Sequence, residues 1–176
     1  IRDRILHALK TSELALEKAV KNGRILRICW ETNGYISRRL IEKVVQVSLK
    51  SGGTIKFDLK AMDENLNLAL CGVTNKPTLS NFKAIGEKFS ERPKPPLLVA
   101  STLLIPGYID AEEVESIAEF IAGINPAIPY SLLAFYPCYV MNDLPTTSFD
   151  LAYDCLKVAE DSGLKNVRLG NIHLLH

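Results

Sequence analysis

The chain has 176 residues, 47% of them hydrophobic and 23% charged, with a formal net charge of +1. Charges this evenly interspersed exclude a basic stripe for nucleic acid, and the longest apolar run, "PPLLVASTLLIPGYI", is too broken by prolines to span a bilayer. The length suits one core, so residues 1–176 read as a single domain.

Ser12 can cap a helix, "SELALEKAVKNG", that stops at Asn22-Gly23. "ILRICWE" (25–31) is the first strand, followed by a helix in "SRRLIEKVVQVSLKSGG" with Leu40, Ile41, Val44 and Val45 on one face. "TIKFDLK" (54–60) is the second strand. A short helical turn in "MDENLNLALCG" leads to an amphipathic helix, "LSNFKAIGEKF", and the proline-rich loop "ERPKPP". The strand "LLVASTLLI" (97–105) precedes "DAEEVESIAEFIAGIN", a helix whose first-turn acids suit its macrodipole. "YSLLAFY" (130–136) is a fourth strand, "SFDLAYDCLKVAEDSG" a helix, and "NVRLGN" (166–171) a short fifth strand.

Strands alternating with amphipathic helices indicate an α/β fold of parallel βαβ units. Five such units are too few for an eight-stranded barrel, which leaves a doubly wound sheet or part of an incomplete barrel. No glycine-rich phosphate loop follows a strand, which disfavours dinucleotide binding. In either architecture ligands sit at the carboxyl ends of the strands. Ile55, Phe57 and Leu59 alternate with Lys56, Asp58 and Lys60, so this strand is either an edge with a wet face or a barrel strand with Asp58 and Lys60 inside. The same alternation places Arg27, Cys29, Glu31 and Asn33 together, and two adjoining strands with acids near their carboxyl ends favour the barrel.

Cys29, Cys71, Cys138 and Cys155 have no paired spacing and are expected to be buried thiols in a reducing compartment, the cytoplasm. His7, His173 and His176 lie near the ends, and the closing "HLLH" reads as a frayed terminus. The chain starts with Ile1 rather than Met and shows no signal peptide, so it is expected to be a piece of something longer.

"ETNG" after the first strand and "DLKA" after the second resemble the D-T-N-G and D-L-K motifs of radical S-adenosylmethionine (SAM) enzymes. The nearest branch is that of glycyl-radical activating enzymes, typified by the pyruvate formate-lyase activating enzyme and its archaeal relatives. "TLLIPGYID", "LLAFYPCYVMNDLPTTS" and "GLKNVRLGNIH" are similar to the later part of those proteins, so the resemblance runs over residues 10–174. The family's C-x-x-x-C-x-x-C cluster motif and its G-G-E motif are not in these 176 residues. The helix at Ser12 would match the one after G-G-E. The resemblance therefore implies the C-terminal portion of an incomplete (β/α)6, TIM-like barrel, with the N-terminal third missing.

By that resemblance Glu31 and Thr32 lie near the carboxylate of SAM, and Lys60 pairs with that carboxylate. Glu31 and Asp58 could hold a monovalent cation, a hard ion suited to oxygen ligands. Ser101 falls where the branch has an arginine, and Tyr136 where it has a histidine against the ribose, so both depart from the pattern within the cofactor site. The implied parent is an oxidoreductase that cleaves SAM reductively at a [4Fe–4S] cluster, yielding a 5′-deoxyadenosyl radical that takes hydrogen from a glycyl-radical-type protein or a small molecule. The fragment alone, lacking cluster ligands, is expected to be inactive and to self-associate through its cut edge. Two alternatives stand beside this reading: a non-catalytic scaffold barrel, and an aldolase-type barrel with Lys60 as a Schiff-base nucleophile.

Overall fold

The computed structural model describes residues 2–88, 92 and 94–176, so the proline-rich loop lies partly outside the described residues. In chain order the elements are α1 (Arg2–Lys21), β1 (Trp30–Thr32), α2 (Arg38–Ser51), β2 (Ile55–Asp58), α3 (Glu64–Cys71) and α4 (Lys76–Gly86). They continue as β3 (Leu98–Leu104), α5 (Ala111–Ile124), β4 (Tyr130–Ala134), α6 (Phe149–Asp161) and β5 (Val167–Gly170). All strand pairs are parallel, and the order in the sheet is β1-β2-β3-β4-β5. A doubly wound sheet reverses its strand order part-way; this one never does. Right-handed crossovers between consecutive neighbours carry the connecting helices, α2 to α6, to the same side. The α/β fold is thus wound in the sense of a β/α barrel, with one covered and one open face.

Burial follows that asymmetry. Ile55, Phe57, Leu59, Leu98, Ala100, Leu104, Tyr130 and Leu132 are buried on the helix side, where Phe57 meets Phe82 of α4 edge to face at 5.5 Å between centroids. Deep burial of about eight such side chains at about 1.5–3 kcal/mol each is the main stabilising term. Register then fixes what faces the other way. Glu31 pairs with Lys56, Lys56 with Val99, Asp58 with Ser101, Ser101 with Ser131, and Ser131 with Arg168. Because successive side chains alternate, these residues line the open face.

Three local expectations are corrected. α1 begins ten residues before Ser12, because Ile5, Leu9 and Leu16 continue one apolar stripe upstream; Ser12 is interior to the helix. The first strand is confined to Trp30–Thr32, since residues 25–28 find no ladder partner and Ile25 is 92% exposed. The C-terminus is stitched rather than frayed: the Phe149 amide donates to the His176 carbonyl at 2.9 Å, and His176 Nδ1 lies 2.8 Å from Thr146 Oγ1.

Candidate functional site

The polar groups converge where β1, β2 and β3 end. An open cleft of about 510 Å³ is lined by Glu31, Thr32, Asn33, Lys56, Asp58, Lys60, Ser101 and Leu133. β2 is paired on both sides, so its charged face is not the wet face of an edge strand. Within the cleft Lys60 Nζ stands 2.5 Å from Asp58 Oδ2, and Lys56 Nζ 3.8 Å from Glu31 Oε1. The Glu31 side chain is 81% exposed, while those of Asp58 and Lys60 are about one third exposed. The charges are therefore matched among themselves yet remain partly exposed in the cleft.

The loop that delivers Glu31 and Thr32 is held in place from below. Gly34 has φ +71°, and a Cβ there would come within 2.1 Å of the Phe57 ring. Only glycine fits both the left-handed backbone and that approach. Thr32 Oγ1 accepts from the Gly34 amide at 3.0 Å and Asn33 Oδ1 from the Tyr35 amide at 3.1 Å, so each closes a local turn. From α4, buried Asn81 donates to the carbonyls of Gly34 (2.9 Å) and Ile36 (2.8 Å), and Thr78 donates to that of Asn33 (2.7 Å).

The neighbouring loops are pinned in the same manner. Asn75 Nδ2 donates to the carbonyls of Ala61 and Met62, just past Lys60. Tyr130 donates to Thr102 Oγ1 at 2.8 Å, which donates to the Leu59 carbonyl at 2.9 Å. Burial pushes the Tyr130 phenol well above its usual range, so this donor keeps its proton. Thr147 donates to the Leu104 carbonyl and accepts from the Phe135 amide, joining the ends of β3 and β4. These buried side chains were not singled out from the sequence; an isolated Asn or Thr inside an amphipathic helix or loop is the one signal, and it does not name its partner.

Five of the six sequence-derived site residues, Glu31, Thr32, Asp58, Lys60 and Ser101, are thus brought together. Tyr136 is not among the lining residues: it is 62% exposed on the loop after β4. Ser101 is buried and donates to the Phe57 carbonyl at 3.3 Å. The cysteine expectation is corrected as well. Cys29, Cys71 and Cys138 are exposed, lying on the approach to β1, at the last residue of α3 and on the loop after β4; Cys155 alone is buried, on the inner face of α6. Among the described residues no group of three His, Cys, Asp or Glu side chains could hold a metal ion. No helix there is long and apolar enough to cross a membrane.

No family model matches the chain. It is 32% identical over 107 residues to a protein of Methanocaldococcus jannaschii provisionally named a glycyl-radical enzyme activating enzyme. It is also 32% identical over 83 residues to the isethionate sulfite-lyase activating enzyme of Desulfovibrio desulfuricans. The chain is similar to glycyl-radical activating enzymes. The radical-SAM resemblance read from "ETNG" and "DLKA" agrees with these matches. They cover 59% and 47% of the chain, and the chain spans only 37% and 25% of the length of those activating enzymes. A domain of the pyruvate-formate lyase-activating enzyme from Bacteroides vulgatus superposes with a TM-score of 0.72 at 20% identity, over 95% of this chain and 93% of that one. That likeness establishes the fold.

Proposed function

We propose that this chain is the SAM-binding wall of a glycyl-radical-activating-enzyme-like protein, corresponding to the C-terminal portion of its partial barrel. The observation that carries the reading is the convergence of Glu31, Thr32, Asp58, Lys60 and Ser101 on one cleft at the strand ends. The donor set suits the cofactor. The Lys60 ammonium is a point charge for the amino-acid carboxylate, and Glu31 and Asp58 offer oxygens for the ammonium group or for a monovalent cation between them. SAM held by these residues beside a reduced [4Fe–4S] cluster would supply hydrogen-atom-abstraction chemistry. The cluster ligands belong, in this proposal, to chain beyond these residues, on the side of the free edge of β1. The residues here bind and orient the cofactor, and the pinned loops keep the lining groups in register.

The hydrogen-atom donor is a glycyl-radical-type protein or a small molecule. The Schiff-base alternative loses ground to the short Lys60–Asp58 ion pair, because an ammonium held against a carboxylate is not a free nucleophile. Equilibrium dialysis with labelled SAM tests the proposal. The chain is expected to bind saturably, Lys60→Ala to lose that binding, and Lys157→Ala, on the exposed face of α6, to retain it. Equal binding by all three, or none by the wild-type chain, would overturn the assignment.

A further inference from the structure

The cofactor reading uses only the β1–β3 half of the open face. Across β4 and β5 the same register row continues as Ser131 and Arg168, and one further pair brings Leu133 beside Gly170. Arg168 is exposed although it sits on the inner side of an end strand flanked by half-buried Val167 and Leu169. Its Nε donates to Ser131 Oγ at 2.9 Å, and Ser131 is itself buried. Among the described residues no carboxylate lies within ion-pair distance of the guanidinium. An arginine held by a buried hydroxyl, without an acidic partner, keeps its two terminal nitrogens for another anion.

The surroundings favour an occupant from outside the chain. Ser131 holds the guanidinium over β4, in the register row that continues to Ser101 on β3, whose backbone lies two interstrand spacings, about 10 Å, from that of β5. Gly170 adds no side chain to the floor: a Cβ there would come within 2.7 Å of Leu133 Cδ2, so the leucine lies over it. Leu133, which pairs with Gly170 of β5, also lines the cleft that holds Asp58 and Lys60, so it stands between that cleft and the Arg168 side of the face.

We infer that Arg168, positioned by Ser131, is the anchor for an anionic group, a carboxylate or a phosphate, on the molecule that lies beside the cofactor. Its meaning as a substrate anchor rests on the cofactor reading above. The planar guanidinium fits either oxyanion with two parallel hydrogen bonds, and the Leu133 wall would pack against the apolar part next to it. The cofactor thus occupies the Lys60 side of the open face and the anion of the substrate the Arg168 side.

The test is a titration of the 15N-labelled chain with inorganic phosphate and, separately, with acetate, following the Arg168 Nε–H signal and the Ser131 and Leu169 amides. Saturable shifts with either anion are expected, and the tighter of the two names the group. Arg168→Gln should weaken binding by about tenfold or more, and Ser131→Ala, which keeps the charge but frees the side chain, by a smaller factor. Dialysis with SAM should give the same affinity for Arg168→Gln as for wild type. Unchanged phosphate and acetate shifts in Arg168→Gln would overturn the anchor, and loss of SAM in that variant would move Arg168 into the cofactor site. If phosphate or acetate saturates at Arg168 while the wild-type chain binds no SAM, the anion site stands and the cofactor reading falls.

Discussion

The two faces of the sheet are made by the same strands and differ in almost every physical respect. On the helix side, residues such as Ile55, Phe57, Leu98 and Tyr130 are fully buried, and the polar link from Tyr130 to Thr102 to the Leu59 carbonyl is satisfied. On the open side, one residue along each strand, stand Glu31, Lys56, Asp58, Ser131 and Arg168. The covered face alone carries the stability that dry packing gives, which leaves the other free to hold charges that folding does not need. A parallel sheet covered on both faces could not carry this alternation.

Substitutions at adjacent residues of β2 separate the two faces most sharply. Phe57→Ala removes a buried ring and is expected to cost about 3–5 kcal/mol in urea unfolding. Asp58→Asn should change stability by less than about 1 kcal/mol, because the ion pair with Lys60 is partly solvated. Similar costs for the two would mean that the open face is part of the core after all. Gly34→Ala comes next, because it needs both a left-handed alanine and a displaced Phe57 ring. A loss of roughly 2 kcal/mol or more is expected, with shifted amides from Glu31 to Tyr35.

Asn81→Ala should cost about 1–3 kcal/mol by leaving two carbonyls without their donor, and hydrogen exchange should quicken over Gly34–Ser37. A further effect is a pH dependence, confined to alkaline solution. Burial, reinforced by Asp110 and Asp154, pushes the Cys155 thiol up from 9.0 to about 12. The unfolded chain therefore loses this proton first as pH rises. The contribution of Cys155 is whole below pH 9 and declines between about 9 and 12, a window over which Cys155→Ala should flatten the stability profile.

Much of this was legible in the sequence. The alternation in "TIKFDLK" placed Asp58 and Lys60 opposite Ile55, Phe57 and Leu59, and Asn33-Gly34 announced the turn. Period-2 and turn signals are local, so a sequence carries them openly. What it does not carry is which segment a buried polar group will reach. Asn81 meets a loop more than forty residues earlier, and Thr147 joins two strand ends, both decided by crossover geometry. Arg168 was hidden for the same reason, since "NVRLGN" shows an arginine between two apolar residues but not that it shares a row with Ser131 and Ser101. The start of α1 and the exposed cysteines depended on which surfaces other elements leave uncovered.

The most direct test measures two quantities on one variant, Asp58→Asn: its unfolding free energy and its affinity for SAM. Stability within about 1 kcal/mol of wild type and loss of saturable SAM binding are expected. Retained SAM binding, or a fall in stability of the size expected for Phe57→Ala, would contradict that expectation.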